Sequence, residues 1–424
     1  MSIGARARPL PGALRRPVLV LWVCSAAAGP PGCASLSSVT RDDLAATVRS
    51  QVATGRSVSI AVAAVRGGEV VALEAAGSAD LASGRAATPD TVYMLFSLSK
   101  LVTATAVMQL WDRGLLDLDR PIRSYLPELA IRGASQTPIT ARHLLAHSSG
   151  LPNPSPFQWA RPLGQRRPRL ASFLASVLDR YGYVVFEPGS GFLYSNLGYL
   201  VLGRLVERVS GQPYEAYVRR SIFEPLGMRR AAFDLDRRLY EDVATGYVRS
   251  GTREHALGRL LAGRAAFGKR FGDWVSGNPF VVDGAPYGGM VGSARDLARF
   301  VAMHLGGGAY RGRSVLSERA SRAMQEEQRT TSGCVLPFTL GWHAGSVAGN
   351  RYLEHRGSGG GYRPALRIYP DLGYGVVVLT NVTRFDPSQL EELLVRSPRR
   401  TDGMIPGSSS GDAVTTERGA GHER

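Results

Sequence analysis

The chain has 424 residues, 44% of them hydrophobic, which is enough to bury one large core or two smaller ones. Its formal net charge of +16 would suit a nucleic-acid-binding protein, but the basic residues are dispersed and accompany no recognisable nucleic-acid motif. The charge instead favours non-specific attraction to the anionic polymers or lipid headgroups of a cell envelope. Three cysteines and seven scattered histidines predict no metal site.

The N-terminus has the features of an export signal. Several arginines precede an apolar stretch at residues 18–28, which is too short to span a bilayer comfortably and ends in a small-residue cleavage pattern. We expect residues 1–28 to be a signal peptide, residues 29–40 to be a linker, and the protein to be exported. The residues before Cys33 match the lipidation site of a bacterial lipoprotein poorly, so secretion without a lipid anchor is the preferred interpretation. Whether Cys33 pairs with Cys334 is left open.

The mature chain begins with a predicted helix over residues 41–52 and two antiparallel strands over 58–65 and 69–74. Both strands are rich in small and β-branched residues, and Gly67-Gly68 between them is typical of a two-residue hairpin turn.

The next predicted helix carries the most informative pattern of the chain. Apolar residues recur at steps of three and four over residues 101–111, which predicts a helix that begins near Ser97 and ends at Gly114. A serine there lies beside unpaired N–H groups and the positive end of the helix dipole, and Lys100 shares its face. Ser97 and Lys100 thus form a Ser-x-x-Lys pair, in which an amine of lowered pKa can accept the hydroxyl proton.

A Ser-x-x-Lys pair alone is weak evidence, because the pattern is short and a serine at a helix start is usually only a cap. The composition strengthens it, since only two of the 51 Lys and Arg residues are lysines, Lys100 and Lys269. Because arginine supplies nearly all the basic side chains, the lysine at position 100 indicates a role that a guanidinium cannot fill, such as releasing a proton near neutral pH. Lys269 is interpreted as a solvated loop residue.

Helices occupy the middle of the chain, and strands return near its end. The predictions are helices over 140–146, 200–209, 294–305, 318–328 and 387–395, strands over 365–369 and 374–381, a surface loop over 153–169, a variable insertion over 249–273 and a disordered tail over 397–424. Strands at both ends with helices between them predict an α+β protein. One antiparallel sheet, built from the N- and C-terminal segments and flanked by helices, would carry an inserted helical region.

Three motifs, taken in order, carry a resemblance to a known family. They are Phe96-Ser97-Leu98-Ser99-Lys100, Tyr194-Ser195-Asn196 and His355-Arg356-Gly357, with supporting matches at 144–151, 187–189 and 288–293. At this order and spacing they resemble the penicillin-recognising serine hydrolases, most of all the branch of class C β-lactamases, esterases and D-peptidases. The resemblance implies a β-lactamase/transpeptidase-like fold, over a domain predicted at residues 41–396.

The resemblance also implies acyl transfer through a covalent acyl-enzyme. Ser97 would be the nucleophile, and Lys100 and Tyr194 would handle its proton, with nearby positive charge lowering the pKa of the phenol. His355 would orient Tyr194 or bind a substrate carboxylate.

The remaining implied site residues surround the substrate. The N–H groups of Ser97 and Ser358 would form the oxyanion hole, and Gly357 would let its strand approach closely. Asn196 would join Gly357 and Ser358 in binding the substrate.

Two residues depart from the family pattern, and one is interpreted as structural. Phe96 stands where many relatives have Gly or Ala, and would narrow one wall of the cleft. Arg356 is bulkier than the usual residue of the third motif, so either it faces outward or it favours anionic substrates. His147 is interpreted as holding a turn.

The expected function is an exported serine hydrolase that needs no metal or cofactor and cleaves a small ester, a D-amino-acid peptide or a β-lactam. Efficient β-lactamase activity is the least expected of these, because the sequence does not show how water would release the acyl group. The alternative is a catalytically silent module that recognises cell-wall peptides or a protein partner. The two differ in whether the hydroxyls of Ser97 and Tyr194 and the amine of Lys100 converge.

Overall fold

A seven-stranded antiparallel sheet, built from strands near both ends of the chain, is the centre of the fold. The computed structural model describes residues 41–393 except 134–135, 155–158, 164, 166 and 236, and all of them belong to one compact unit. The predicted signal peptide, the linker with Cys33 and the predicted tail lie outside the described residues. Cys334 is an exposed free thiol.

The helices of the described chain are α1 Arg41–Ala53, α2 Ser99–Asp112, α3 Ala141–Leu145, α4 Leu170–Tyr181, α5 Asn196–Ser210, α6 Tyr214–Val218, α7 Glu224–Leu226, α8 Arg237–Asp242, α9 Arg253–Leu261, α10 Ala294–Leu305, α11 Glu318–Gln325 and α12 Ser388–Leu393.

Its strands are β1 Ser59–Arg66, β2 Glu69–Asp80, β3 Arg85–Ala86, β4 Tyr93–Met94, β5 Ala160–Pro162, β6 Tyr247–Arg249, β7 Phe267–Phe271, β8 Trp274–Gly277, β9 Phe280–Val282, β10 Val291–Gly292, β11 Ala309–Tyr310, β12 Arg313–Ser314, β13 His343–Val347, β14 Asn350–Arg356, β15 Ala365–Tyr369 and β16 Tyr374–Thr380.

The sheet has the order β13-β14-β15-β16-β1-β2-β3, so strands from the two ends of the chain are neighbours at its centre. The predicted hairpin joins β1 to β2, and Gly67 and Gly68 have φ values of 56° and 81°. Both values lie in the left-handed region that two-residue hairpin turns require. The α+β fold class expected from the sequence is therefore confirmed, including its inserted helical region.

Side chains on β1 alternate between two cores. Ala61, Ala63 and Val65 contribute to the larger core, which also contains residues of α2, α5 and α10. Ile60 and Val62 contribute to the smaller core, which contains residues of α1 and α12. The period of two is that of a strand covered on both faces.

Helix α2 lies inside the larger core. Every residue from Ser99 to Leu110 is buried, because α5, α6 and α11 pack around it. Several of its polar side chains bond locally or across the core; for example, Thr103 donates to the carbonyl of Pro286 at 2.6 Å. The Oε1 of Gln109 has no hydrogen-bond partner among the described residues. Sequence periodicity predicts one buried face, whereas the structure buries the helix on all sides.

Several predicted segments differ from the structure. Ser97 lies in a short 3₁₀ turn, Phe96–Leu98, and α2 begins two residues later than predicted, at Ser99. The predicted loop 153–169 includes β5, which pairs with β9. The predicted insertion contains α9 and β7, and β7 belongs to a three-stranded sheet of order β6-β8-β7.

The described residues contain neither a candidate membrane-spanning helix nor a cluster of metal ligands. Within them, no helix combines the length and hydropathy needed to cross a membrane. In the same part of the chain, no group of three His, Cys, Asp or Glu side chains is arranged to hold a metal ion.

Buried His304 should make the stability of the fold pH-dependent. The side chain lies on α10 against Phe300 and Trp342, and burial lowers its pKa to about 3. The unfolded chain binds a proton on this residue below about pH 6.5, whereas the folded chain does not, so stability falls as the pH drops through that range. Between pH 7 and pH 5 this residue should cost about 2 kcal/mol of the free energy of unfolding.

The measurement is urea unfolding of wild type and His304→Gln at pH 7 and pH 5. Because glutamine does not titrate, the variant should lose less stability than wild type over the same interval. An equal loss in both proteins would show that His304 is not the residue responsible.

Candidate active site

A strained turn positions the candidate nucleophile. Phe96, directly before Ser97, has φ of 44°, a left-handed value that costs a non-glycine residue on the order of 1 kcal/mol. Ser99 holds the turn: its hydroxyl donates to the carbonyl of Phe96 at 2.6 Å and accepts from the N–H of Met290 at 3.0 Å. Half-buried Ser97 is thus fixed immediately before α2.

The amine of Lys100 is completely buried and touches the hydroxyl of Ser97. Its Nζ lies 3.3 Å from Ser97 Oγ, 2.8 Å from Asn196 Oδ1 and 2.9 Å from the carbonyl oxygen of Tyr287. None of these three partners carries a charge. Among the described residues, no carboxylate forms an ion pair with this amine.

Burial without a counter-charge lowers the pKa of Lys100 well below its usual value. A neutral amine has two N–H donors and one lone pair. The Asn196 and Tyr287 oxygens can only accept, so they take the two donors, and the lone pair is left for the Ser97 hydroxyl. The geometry therefore suits proton transfer from Ser97 to Lys100.

Tyr194 lies on the other side of the same hydroxyl. Its phenol interacts with the Ser97 side chain, and its ring centroid is 4.8 Å from the Lys100 amine. Burial raises the pKa of Tyr194, although the interaction with Ser97 opposes that shift. The expectation of a lowered phenol pKa is therefore wrong, because burial acts on the phenol and the neighbouring lysine is itself driven toward its neutral form.

His147 fixes the backbone on both sides of Tyr194. Its carbonyl accepts the N–H of Leu193 at 2.9 Å, and its Nδ1 accepts the N–H of Ser195 at 3.1 Å. The proton of the neutral ring must then be on Nε2. Its ring centroid is 4.3 Å from that of Tyr194. The turn that His147 is expected to hold is therefore the turn that positions the Tyr194 phenol.

His355 lies at the end of β14 on the face of the larger core, 3% exposed. Burial and the nearby Lys100 lower its pKa to about 3, so the ring is neutral. Its Nδ1 lies 3.3 Å from the carbonyl of Arg356, which makes Nδ1 the protonated nitrogen and leaves Nε2 an acceptor without a partner in the described residues. A neutral ring suits orienting Tyr194, 6.3 Å away between centroids, better than binding a carboxylate.

The end of β14 passes close to the nucleophile turn. A Cβ at Gly357 would lie 2.5 Å from the carbonyl oxygen of Leu95 and 3.2 Å from Phe96 Cβ, so this approach requires glycine. The following residue, Ser358, is exposed. Neither the Ser97 N–H nor the Ser358 N–H donates a hydrogen bond within the described residues, which leaves both for the predicted oxyanion hole.

Two residues have roles that the sequence did not predict. Asn196, whose binding of substrate stays a prediction, also accepts a hydrogen bond from Lys100 through its Oδ1. Tyr287 contributes its carbonyl oxygen, and its ring centroid lies 5.4 Å from the Lys100 amine. A Cβ at Gly284 would collide with that ring at 1.6 Å. A backbone acceptor has no side-chain signature, so only the glycines around it could have drawn attention to this loop.

Arg356 faces away from the site. Its guanidinium bonds the carboxylate of Glu391 on α12 at 2.7 Å and that of Glu354 at 3.2 Å, on the opposite sheet face from His355. Arg367 also pairs with both carboxylates. Burial acts to raise the pKa of Glu354, but contacts with His343 and the two arginines outweigh burial and lower that pKa to about 2. Of the two possibilities that the sequence allowed, the outward orientation is the one observed.

Aromatic side chains surround the groups just described. Phe338 packs on Phe192, with 5.6 Å between ring centroids, and lies 5.9 Å from the rings of both Tyr194 and His355. On the side of the nucleophile turn, Phe96 packs on Phe280 and Tyr362, each 6.2 Å away between centroids. The bulky Phe96 side chain thus packs where relatives have a small residue.

A serine hydroxyl against a buried lysine of lowered pKa, with a phenol beside it, is the arrangement of serine hydrolases that use lysine as the proton acceptor. The Beta-lactamase family model matches residues 44–396, and the chain therefore belongs to this family of serine hydrolases.

Known relatives agree with that assignment. The chain is 31% identical over 326 residues to Penicillin-binding protein 4 of Amycolatopsis lactamdurans, covering 74% of this chain and 78% of the relative. It is 36% identical over 202 residues to Esterase EstB of Burkholderia gladioli, covering 42% and 47%. Among solved structures, the octameric penicillin-binding protein homologue from Pyrococcus abyssi superposes with a TM-score of 0.66 at 26% identity, covering 84% and 77%.

Replacing Lys100 should abolish the reactivity of Ser97 toward a fluorophosphonate. Arginine stays protonated and methionine has no basic nitrogen, so Lys100→Arg and Lys100→Met should react at least about 100-fold more slowly than wild type. Wild-type labelling should also slow as the pH falls through the lowered lysine pKa. The measurement is the time course of adduct formation by intact-mass spectrometry, with Ser97→Ala as the unreactive control and circular dichroism to verify folding. Wild-type labelling rates in both lysine variants would contradict the assignment of the base.

Removing the acceptor on His147 should lower turnover by misplacing Tyr194. His147→Leu leaves the N–H of Ser195 unpaired and should reduce kcat on the order of tenfold with little change in KM. His147→Asn offers an oxygen near the Nδ1 position and should recover part of the loss. Active sites are first titrated with fluorophosphonate, so that kcat refers to folded enzyme. Equal kcat values for the leucine variant and wild type would limit His147 to a purely structural role.

Proposed function

We propose that the protein hydrolyses an ester or amide through an acyl-enzyme on Ser97, and that it prefers substrates with no charge next to the bond that is cleaved. The observation that carries the proposal is the buried Lys100 amine, 3.3 Å from Ser97 Oγ, with its donors engaged by two neutral oxygens. A silent binding module would have no need for an amine in this form.

In acylation, Lys100 accepts the hydroxyl proton as Ser97 Oγ attacks the carbonyl carbon. The N–H groups of Ser97 and Ser358 stabilise the oxyanion that forms. Tyr194, kept protonated by its raised pKa, donates a hydrogen bond to the leaving oxygen or nitrogen as the bond to the carbonyl carbon breaks. The Lys100 ammonium then gives the proton it accepted from Ser97 to the leaving group, which returns the amine to its basic form.

Deacylation repeats the same steps with water as the nucleophile. Water attacks the acyl carbonyl, its proton passes to Lys100, and the bond to Ser97 Oγ breaks. The proton returns to Ser97, and the free acid leaves. His147, whose ring packs on that of Tyr194, and His355, whose ring lies 6.3 Å from it between centroids, act as positioning residues in both steps.

The preference for uncharged substrates follows from the state of three basic groups. Lys100 and His355 are driven toward their neutral forms by burial, and Arg356 is bonded to Glu391 on the other face of the sheet. None of them is available to a carboxylate beside the scissile bond, which penicillins and D-amino-acid peptides carry. The aromatic side chains around the site suit an apolar substrate. These features favour an esterase, the activity named for the relative from Burkholderia gladioli, over a peptidase or a β-lactamase.

Export is part of the proposal. It rests on the basic and apolar pattern of residues 1–28 and on the similarity to penicillin-binding proteins.

A matched pair of thioesters tests the preference. An acyl thioester of thioglycolate and the same thioester of thioglycolamide differ only in one negative charge on the leaving group. Because an unpaired carboxylate loses its hydration in the cleft, the neutral thioester should have a kcat/KM at least about tenfold higher. The measurement is thiol release, with Ser97→Ala as the control. Faster hydrolysis of the charged thioester would favour a peptidase, and neither hydrolysis nor an adduct on Ser97 with either thioester would favour the silent module.

A further inference from the structure

Helix α9 turns its apolar side chains away from the protein. None of its nine residues is buried, and Leu257, Leu260 and Leu261 are 53%, 78% and 52% exposed. These positions follow the three- and four-residue steps that place side chains on one face of a helix. A surface helix ordinarily buries such a face, and within the described residues this one has no partner covering it.

The opposite face of α9 attaches it to the protein. The ring of His255 packs on Phe267 of β7 with 5.2 Å between centroids, and a Cβ at Gly258 would lie 2.8 Å from the same phenylalanine. Glu254 pairs with Arg384 at 3.5 Å. Because His255 lies on the side of α9 away from the leucines, its packing on Phe267 turns the leucines toward the outside.

Exposed basic residues accompany the three leucines in this part of the chain. The exposed basic residues of α9, the following turn and β7 are Arg253, Arg259, Arg264, Lys269 and Arg270. Over residues 250–273 the acidic residues are Glu254, which is paired, and Asp273. An exposed apolar face with basic flanks matches the interface of an anionic bilayer, where leucines enter the headgroup region and cations bind lipid phosphates.

We propose that α9, with the basic turn and β7 beside it, docks the protein on an anionic phospholipid membrane. We call this the α9 surface, consisting of the three leucines and the five basic residues just named. A second copy of the chain is a poorer occupant, because two such surfaces would bring like charges together in a protein of net charge +16. The proposal does not depend on the reaction at Ser97.

The test is binding of the full chain to vesicles of phosphatidylglycerol and phosphatidylcholine, followed by hydrogen–deuterium exchange over residues 253–271. Exchange in α9 should slow on the mixed vesicles, less so at high salt, and not on phosphatidylcholine alone. The exchange readout separates docking by α9 from membrane affinity of the N-terminal segment.

The variant L257S/L260S/L261S should lose the protection of α9 and, where α9 is the main contact, about tenfold or more of the affinity for vesicles. Leu115→Ser, which replaces a leucine that is 54% exposed outside α9, is the matched control and should bind as wild type does. The leucines are exposed, so the melting temperature of the triple variant should stay near that of wild type.

Two outcomes would overturn the proposal. Binding to anionic vesicles without slower exchange in α9 would place the contact elsewhere. Protection of α9 in the absence of vesicles would mean that another part of the chain covers it, or, where light scattering gives twice the mass of one chain, that a second copy does.

Discussion

The burial of one amine governs the chemistry of this protein. Lys100 lies in the first turn of a helix that is enclosed on all sides, with oxygens of Asn196 and Tyr287 as its fixed acceptors. A charged ammonium in that position would lack both water and a counter-ion, so the amine is held in its basic form. The reactivity proposed for Ser97 depends on this environment.

The fold maintains it from three directions. The turn before α2 holds Ser97, the loop before β10 supplies the Tyr287 carbonyl, and the start of α5 supplies Asn196. His147 fixes the backbone around Tyr194, and β14 closes the site with Gly357 against Leu95 and Phe96. Segments separated by hundreds of residues thus meet at one hydroxyl, because β1 and β16 pair at the centre of the sheet and bring the ends of the chain together.

The ionisable groups around the active site differ in charge state from those in the rest of the protein. Around Ser97 the ionisable groups are driven toward their neutral forms, whereas on the far face of the sheet Arg356 and Arg367 are paired with Glu354 and Glu391. The surface carries most of the excess arginine, and on the α9 surface it accompanies exposed leucines. An uncharged cleft and a cationic exterior are compatible with an apolar substrate presented near an anionic surface.

The sequence by itself determined the elements and the identity of the central residues. Glycine pairs and the steps of apolar residues are local signals, and they predicted the hairpin, most of the helices and the α+β class. The scarcity of lysine singled out Lys100. Periodicity placed the start of α2 two residues early, because the 3₁₀ turn at Ser97 is stabilised by contacts with Met290 that lie far away in the chain.

Only the tertiary structure decided the state of the site. The direction of the Tyr194 pKa, the neutrality of His355, the outward turn of Arg356 and the role of Asn196 all depend on which groups surround each side chain. The Tyr287 carbonyl carries no signal in its residue type, and the outward leucines of α9 resemble a buried stripe until the packing of Phe267 is known. Local sequence fixes what a segment can form, whereas burial and partners, which set pKa values and orientation, arise only when distant segments pack together.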